Sequence, residues 1–163
     1  MKVNLGCGKK IKEGWLNIDL ISTGEGVLVY DIKKGLPFPD SSVEEILLQE
    51  VIEHLSVDEA KRLAMECYRV LMFGGKLTVT TPDFKKVMEH WESKAIEWRE
   101  LCALLFGYYA STGSRENEGH MYHKMVFDED TLMKFFNVGF KDAVRIHDSL
   151  FIPNVTLKIQ FTK

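Results

Sequence analysis

Two glycines flank a cysteine at Gly6-Cys7-Gly8, directly after the apolar run Lys2 to Leu5, and an aspartate closes each of the next two runs, Asp19 and Asp31. A glycine turn lets a backbone bend sharply and approach a ligand with no side chain between. A carboxylate ending the neighbouring strand can accept hydrogen bonds from both hydroxyls of a ribose over that turn, and Asp31 can accept from an adenine amino group. Each feature alone is ordinary loop chemistry; the three in succession describe a nucleoside site. Candidate proton acceptors are His54, then Tyr122, His120 and His123 in the polar stretch Ser111 to Lys124. A general base adds about 10² to 10⁴ in rate. Before any catalytic role, His54 reads as a packed or helix-end histidine, and Cys7 as a small residue tolerated in a tight turn rather than a nucleophile. Cys7, Cys67 and Cys102 lack the paired spacing of zinc sites, and no metal is expected.

These residues must be positioned by a scaffold. Short runs rich in Val, Ile and Leu predict strands at Lys2 to Leu5, Leu16 to Leu20, Val27 to Asp31, Glu45 to Gln49, Lys76 to Thr81, Ala143 to His147 and Val155 to Phe161. Ser56 with Glu59 forms a capping-box pattern, followed by apolar residues at helical spacing up to a stop at Gly74 and Gly75. Asp83 can cap a second helix whose apolar stripe runs from Phe84 through Trp91 and Trp98 to Leu105, with the Trp and Phe residues expected in the core. Asp128 can cap a third, stapled by Phe127 and Leu132 and stopped at Gly139. Strands alternating with helices predict an α/β, mostly parallel sheet. The connection Asp148 to Asn154 is too short for a crossover helix, so the sheet should end in an antiparallel pair.

The 163 residues are 45% apolar and 28% charged, with no repeat or linker-like tract, so residues 1–163 read as one domain. A chain of this length can bury roughly 70% of its unfolded surface without staples. The formal charge of -3 provides no field for holding bulk nucleic acid. The longest apolar run, Leu101 to Ala110, is about half of the ~20 residues that cross a bilayer, and the N-terminus lacks a leader pattern. A reducing cytoplasm fits three cysteines, odd in number and widely spaced. The oligomeric state stays open; the long apolar stripe leaves room for a homodimer.

The sequence resembles the class I, Rossmann-like S-adenosylmethionine-dependent methyltransferases over nearly its whole length. The matching stretches are VNLGCG, GWLNIDL, YDI, LPFPDSSVEEILLQEVIEHL, ECYRVLMFGGKLTVTTPD and the late FDEDTLMKFFNVGFKDA. The resemblance implies a seven-stranded sheet with an antiparallel last strand, helices on both faces, and S-adenosylmethionine as cofactor. Carried over by position, the cofactor loop is Gly6, Cys7 and Gly8, flanked by Leu5. Asp19, with Leu20, meets the ribose, Asp31 and Ile32 lie beside the adenine, and Gln49 and Glu50 face the methionine part.

Asp19 arrives much sooner after the glycines than the usual ~20 residues, so the first crossover is abbreviated: Lys9 to Glu13 allow one helical turn at most. Trp15, Lys9 or Lys10 is expected near the exposed side of the cofactor. Some small, uncharacterised members that the chain resembles share this shortening. The helix and loop over 84–124 are expected to form an acceptor-side lid. No Asn-Pro-Pro-Tyr or Pro-Cys acceptor motif is present, so a small-molecule or sugar-like acceptor is expected. A non-catalytic module binding the cofactor or S-adenosylhomocysteine, as a regulatory or scaffold subunit, needs the same glycines and Asp19. A nicotinamide-dependent enzyme fits less well, because Ile11 stands where a third glycine belongs.

Overall fold

The computed structural model describes residues 1–22, 24–107, 122–146 and 155–163. His120, Tyr108, Tyr109, most of the Ser111 to Lys124 stretch and the connection 148–154 lie outside them. Seven strands, β1 (Lys2–Leu5), β2 (Leu16–Asp19), β3 (Val27–Val29), β4 (Val43–Gln49), β5 (Leu71–Pro82), β6 (Asp142–Arg145) and β7 (Thr156–Thr162), form one sheet in the order β3-β2-β1-β4-β5-β7-β6. The first five are parallel, and β7 runs antiparallel between β5 and β6. The antiparallel finish follows the expectation from the short final connection. Strand order reverses between β1 and β4, which opens a crevice at their carboxyl ends. Among the described residues no helix is long and apolar enough to cross a membrane.

Side chains alternate along the strands. Val3, Leu5, Ile18, Ile46, Leu48, Leu77, Val79, Leu157, Ile159 and Phe161 form a fully buried layer under α1 (Val57–Val70) and α4 (Glu129–Phe135). The Ser56–Glu59 capping box is present in both directions, and Ala60, Leu63, Ala64, Cys67 and Val70 make the buried stripe of α1. That helix ends at Val70, before the glycine pair. Leu71 is already extended and pairs with Val43, Lys76 pairs with Glu45, and residues 72–75 bulge out of register with β4 while Gly74 and Gly75 bond to the Lys163 backbone. Burial of Leu71 on the sheet overrides its helix propensity. Likewise α4 stops at Phe135, short of Gly139.

The expected long second helix is two. α2 (Phe84–Glu92), capped by Asp83, breaks at residues 93–97, where Lys94 takes φ 59°, and α3 (Trp98–Phe106) restarts behind a Glu97–Glu100 capping box. The two tryptophans are not core: Trp98 is 65% exposed and meets Trp91 edge-on at 6.4 Å.

Among the described residues no helix follows β1 or β2. Two buried amides organise the first crossover instead: Asn4 donates to Asn17 Oδ1 and to the Lys10 carbonyl, each at 2.9 Å. Asn17 donates to the carbonyls of Lys12 and Trp15 and accepts from the Lys12 N–H. Among the described residues the sheet face opposite α1 therefore keeps an open groove of about 340 Å³ beside Trp15, Leu47, Thr78, Lys158 and Gln160. Trp15 lies there, under the Lys12 ammonium at 4.6 Å, and not beside the crevice.

The Leu-Pro-Phe-Pro-Asp stretch is tied to α1 by Arg69. Its guanidinium donates to the carbonyls of Leu36 and Phe38, to Asp40, and to both oxygens of Glu66, which in turn accepts from the Leu36 N–H. The Arg69 hydrogen bonds hold the Glu66 carboxyl below its ordinary range. Arg69→Ala should lower stability by about 2 to 3 kcal/mol in urea denaturation, since five bonds at about 1 kcal/mol each are discounted for partial exposure. Arg69→Lys should recover less than half of that, because an ammonium cannot reproduce the planar fork.

Candidate active site

The crevice at the β1/β4 switch has a volume of about 630 Å³, within the range of small-ligand sites. Gly6 and Gly8 hold φ of 65° and 51°, and a Cβ on Gly6 would lie 2.5 Å from Val51 Cγ2. Asp19 clasps this turn: its Oδ2 accepts from the Gly8 N–H at 2.7 Å and its Oδ1 from the Ile21 N–H at 3.2 Å. Each carboxylate oxygen has two lone pairs, so the clasp leaves acceptor capacity toward the crevice. Asp31 accepts from the Lys33 N–H at 3.1 Å and caps a one-turn 3-10 helix, Ile32–Lys34.

Gly6, Cys7, Gly8, Asp19, Leu20, Asp31, Ile32, Gln49 and Glu50 all line the crevice, with Lys9 and Lys10 at its rim. Leu5 does not; its side chain is fully buried in the core below. The sequence reading missed Ile21, Tyr30, Lys33, Val51, Leu55 and Lys124, which complete the wall together with His54. Ile21 and Tyr30 directly adjoin positions already singled out, so chain proximity was their available signal; Lys124 arrives from the far side of the fold.

Histidines from two distant segments converge at the end of β4. Glu50, at φ 56°, donates its backbone N–H to Thr80 O and accepts from the Thr80 hydroxyl at 2.9 Å. The next turn, a 3-10 helix over Ile52–His54, carries Glu53 inward to 1% exposure. Its carbonyl accepts from the N–H groups of Lys124 and Met125, which pins the chain after residue 121 against this turn. His54 Nδ1 lies 3.2 Å from Tyr122 O, His123 Nδ1 lies 3.1 Å from Leu104 O, and the two rings meet edge-on at 4.8 Å. A carbonyl only accepts, so Nδ1 is the protonated nitrogen in both rings, and Nε2 bears the lone pair of the neutral form. Burial lowers the His123 pKa and favours that neutral form.

Both Glu53 carboxyl oxygens and the Thr81 hydroxyl are buried without a hydrogen bond of good geometry, although Thr81 and the Glu50 carboxyl lie close enough to interact with Glu53. Burial first, and the Glu50 carboxyl second, push the Glu53 pKa well above its usual 4.5; burial also raises Glu50. The folded protein therefore retains protons that the unfolded chain releases near pH 4.5, so this pair contributes stability that is lost as pH rises through the folded pKa values. Lys10, Lys124, His54 and His123 also face this region. In chelator-treated protein, Glu53→Gln should flatten the fall in stability as pH rises above the ordinary carboxyl range, by up to about 1.4 kcal/mol per pH unit. Urea titrations at each pH provide the measurement.

Residues 4–79 match a family described as a methyltransferase domain. A protein of Mycolicibacterium smegmatis, described as a probable S-adenosylmethionine-dependent methyltransferase, is 46% identical over 57 residues, which covers 32% of this chain and 21% of that protein's length. Among solved structures, an S-adenosylmethionine-dependent methyltransferase from Archaeoglobus fulgidus superposes with a TM-score of 0.66 at 14% identity over 99% of this chain and 85% of its own. One from Methanosarcina mazei gives 0.66 at 16% identity, covering 99% and 91%. The strand order, the glycine turn at the switch point and the superpositions give the chain the class I, Rossmann-like methyltransferase fold, and its residues 4–79 are similar to a methyltransferase domain whose relatives use S-adenosylmethionine.

Proposed function

We propose that this chain is an enzyme that binds S-adenosylmethionine in the β1/β4 crevice and transfers its methyl group to a small-molecule or sugar-like acceptor. The observation that carries the reading is the Asp19 clasp on the Gly6-Cys7-Gly8 turn, at the strand-order switch. Asp19 faces the ribose hydroxyls, Asp31 and Ile32 bound the adenine side, and Gln49 and Glu50 bound the amino-acid tail. The lysines at the rim, Lys9, Lys10 and Lys124, offer positive charge to the carboxylate of that tail. The cofactor supplies an activated sulfonium methyl, so the protein's main contribution is alignment, an effect of about 7 to 11 kcal/mol at best. His54 and His123 stand at the acceptor end, where a neutral imidazole can take the proton of a hydroxyl or ammonium acceptor.

The test has two stages. Calorimetry with S-adenosylmethionine and with S-adenosylhomocysteine should give one site per chain; heat with neither overturns the reading. Incubation with pooled metabolites should then release S-adenosylhomocysteine, and binding without release would point to a regulatory module. Once an acceptor is found, His123→Ala should lower turnover by about 10² to 10⁴ while S-adenosylhomocysteine affinity stays within about threefold. Unchanged turnover would remove His123 from the chemistry.

A further inference from the structure

We propose that Glu53, His54 and His123 form a binding site for one divalent first-row transition ion, at the acceptor end of the cofactor crevice. One ligand atom from each side chain lies within 4.8 Å of the others. An ion bound at about 2.1 Å needs donors roughly 3 to 4 Å apart, so modest side-chain rotation closes the set. Two imidazoles and a carboxylate are the donor set of open zinc and iron sites.

Three features separate this cluster from an accidental meeting of polar groups. Glu53 is 1% exposed and neither carboxyl oxygen makes a hydrogen bond of good geometry, its polar neighbours being the Thr81 hydroxyl and the Glu50 carboxyl; such poorly satisfied buried oxygens are costly unless something else satisfies them. Both imidazoles are oriented by Nδ1 donation to backbone carbonyls, Tyr122 O and Leu104 O, the outer contact that metal-binding histidines use to fix their tautomer. The backbone also locks the two segments together, through the Lys124 and Met125 N–H groups on Glu53 O. The cluster thus joins the turn after β4 to the chain that follows α3. Cysteine spacing gave no hint of it, because the donors converge only in the folded chain.

Three protein donors leave coordination positions for water or for an acceptor oxygen. A bound ion would lower the pKa of that oxygen; this consequence rests on the methyltransferase reading, whereas the ion site does not. An imidazole coordinating through Nε2 cannot also take the acceptor's proton, so the ion would then replace the histidines as the activating group. The acceptor class narrows accordingly to molecules carrying an oxygen ligand, such as a hydroxyl.

Equilibrium dialysis of the chelator-stripped full chain against Co²⁺, without cofactor, tests the site. The expected result is one Co²⁺ per chain with the visible absorption bands of nitrogen ligation. His54→Gln, His123→Gln and Glu53→Gln should each weaken binding at least about 10-fold. His90→Gln, on α2 and outside the cluster, should leave it unchanged. Melting curves verify that each variant folds; if Glu53→Gln does not, the two histidine variants decide. Substoichiometric Co²⁺, or affinity unaltered in the folded cluster variants, overturns the proposal. Calorimetry with S-adenosylhomocysteine on the same preparation tests the cofactor reading separately, so either can fail alone.

Discussion

Asp19→Ala is expected to weaken S-adenosylhomocysteine binding by about 10- to 100-fold, the loss expected when hydrogen bonds to a charged acceptor, worth about 1.5 to 3 kcal/mol, are removed. Two effects contribute. The carboxylate would no longer meet the ribose hydroxyls, and the Gly8 N–H, now held at 2.7 Å by Oδ2, would lose its acceptor, so the turn would be less well organised before the ligand arrives. Asp19→Asn separates them. Its amide oxygen can still accept from Gly8, while the charge and half of the acceptor capacity are gone. An affinity loss in Asn close to that in Ala assigns the effect to the ribose; a loss confined to Ala assigns it to the turn. Calorimetry on variants of verified fold gives both numbers, and unaltered affinity in Ala would remove Asp19 from the cofactor site.

The β1 turn, Asp19, Asp31 and the β4 end were legible in the sequence because each sits where an apolar run stops, and a parallel sheet brings successive strand ends to one edge. The capping box of α1 and the Asp83 and Asp128 caps were legible for the same local reason: a cap is a contact between residues three positions apart. The break between α2 and α3 was obscured because an apolar stripe crosses it, although the Glu97–Glu100 capping box stood in the sequence beside it. Placing Trp98 in the core followed from that same stripe, and the solvent-facing restart of α3 undid it. Asn4 and Asn17 carried no signal of their own inside two predicted strands, yet their amides organise the crossover that has no helix. The apposition of His54 and His123 could not be read from spacing, since it depends on where the chain re-enters after residue 121.

The glycine turn gives the second large effect. Gly6→Ala should cost about 2 to 5 kcal/mol, from a left-handed backbone of about 1 to 2 kcal/mol and an overpacked contact of about 1 to 3 kcal/mol. The contact is with Val51, whose Cγ2 would lie 2.5 Å and Cγ1 3.3 Å from the new methyl. Val51 is 8% exposed and follows the strained Glu50, so it has little room to yield. For a domain of this size the midpoint of thermal unfolding should fall by roughly 5 to 15 °C. Gly8→Ala provides the internal contrast. Its φ of 51° carries the same backbone penalty, but no atom stands within 4 Å of the new methyl, so the cost should be about 1 to 2 kcal/mol. Adding Val51→Ala to Gly6→Ala should relieve the steric part and leave the backbone part, bringing the double variant closer to Gly8→Ala than the separate losses predict. Strict additivity would mean that Val51 is not what Gly6 makes room for. The close approach of β1 to the turn after β4 would then owe nothing to the missing side chain.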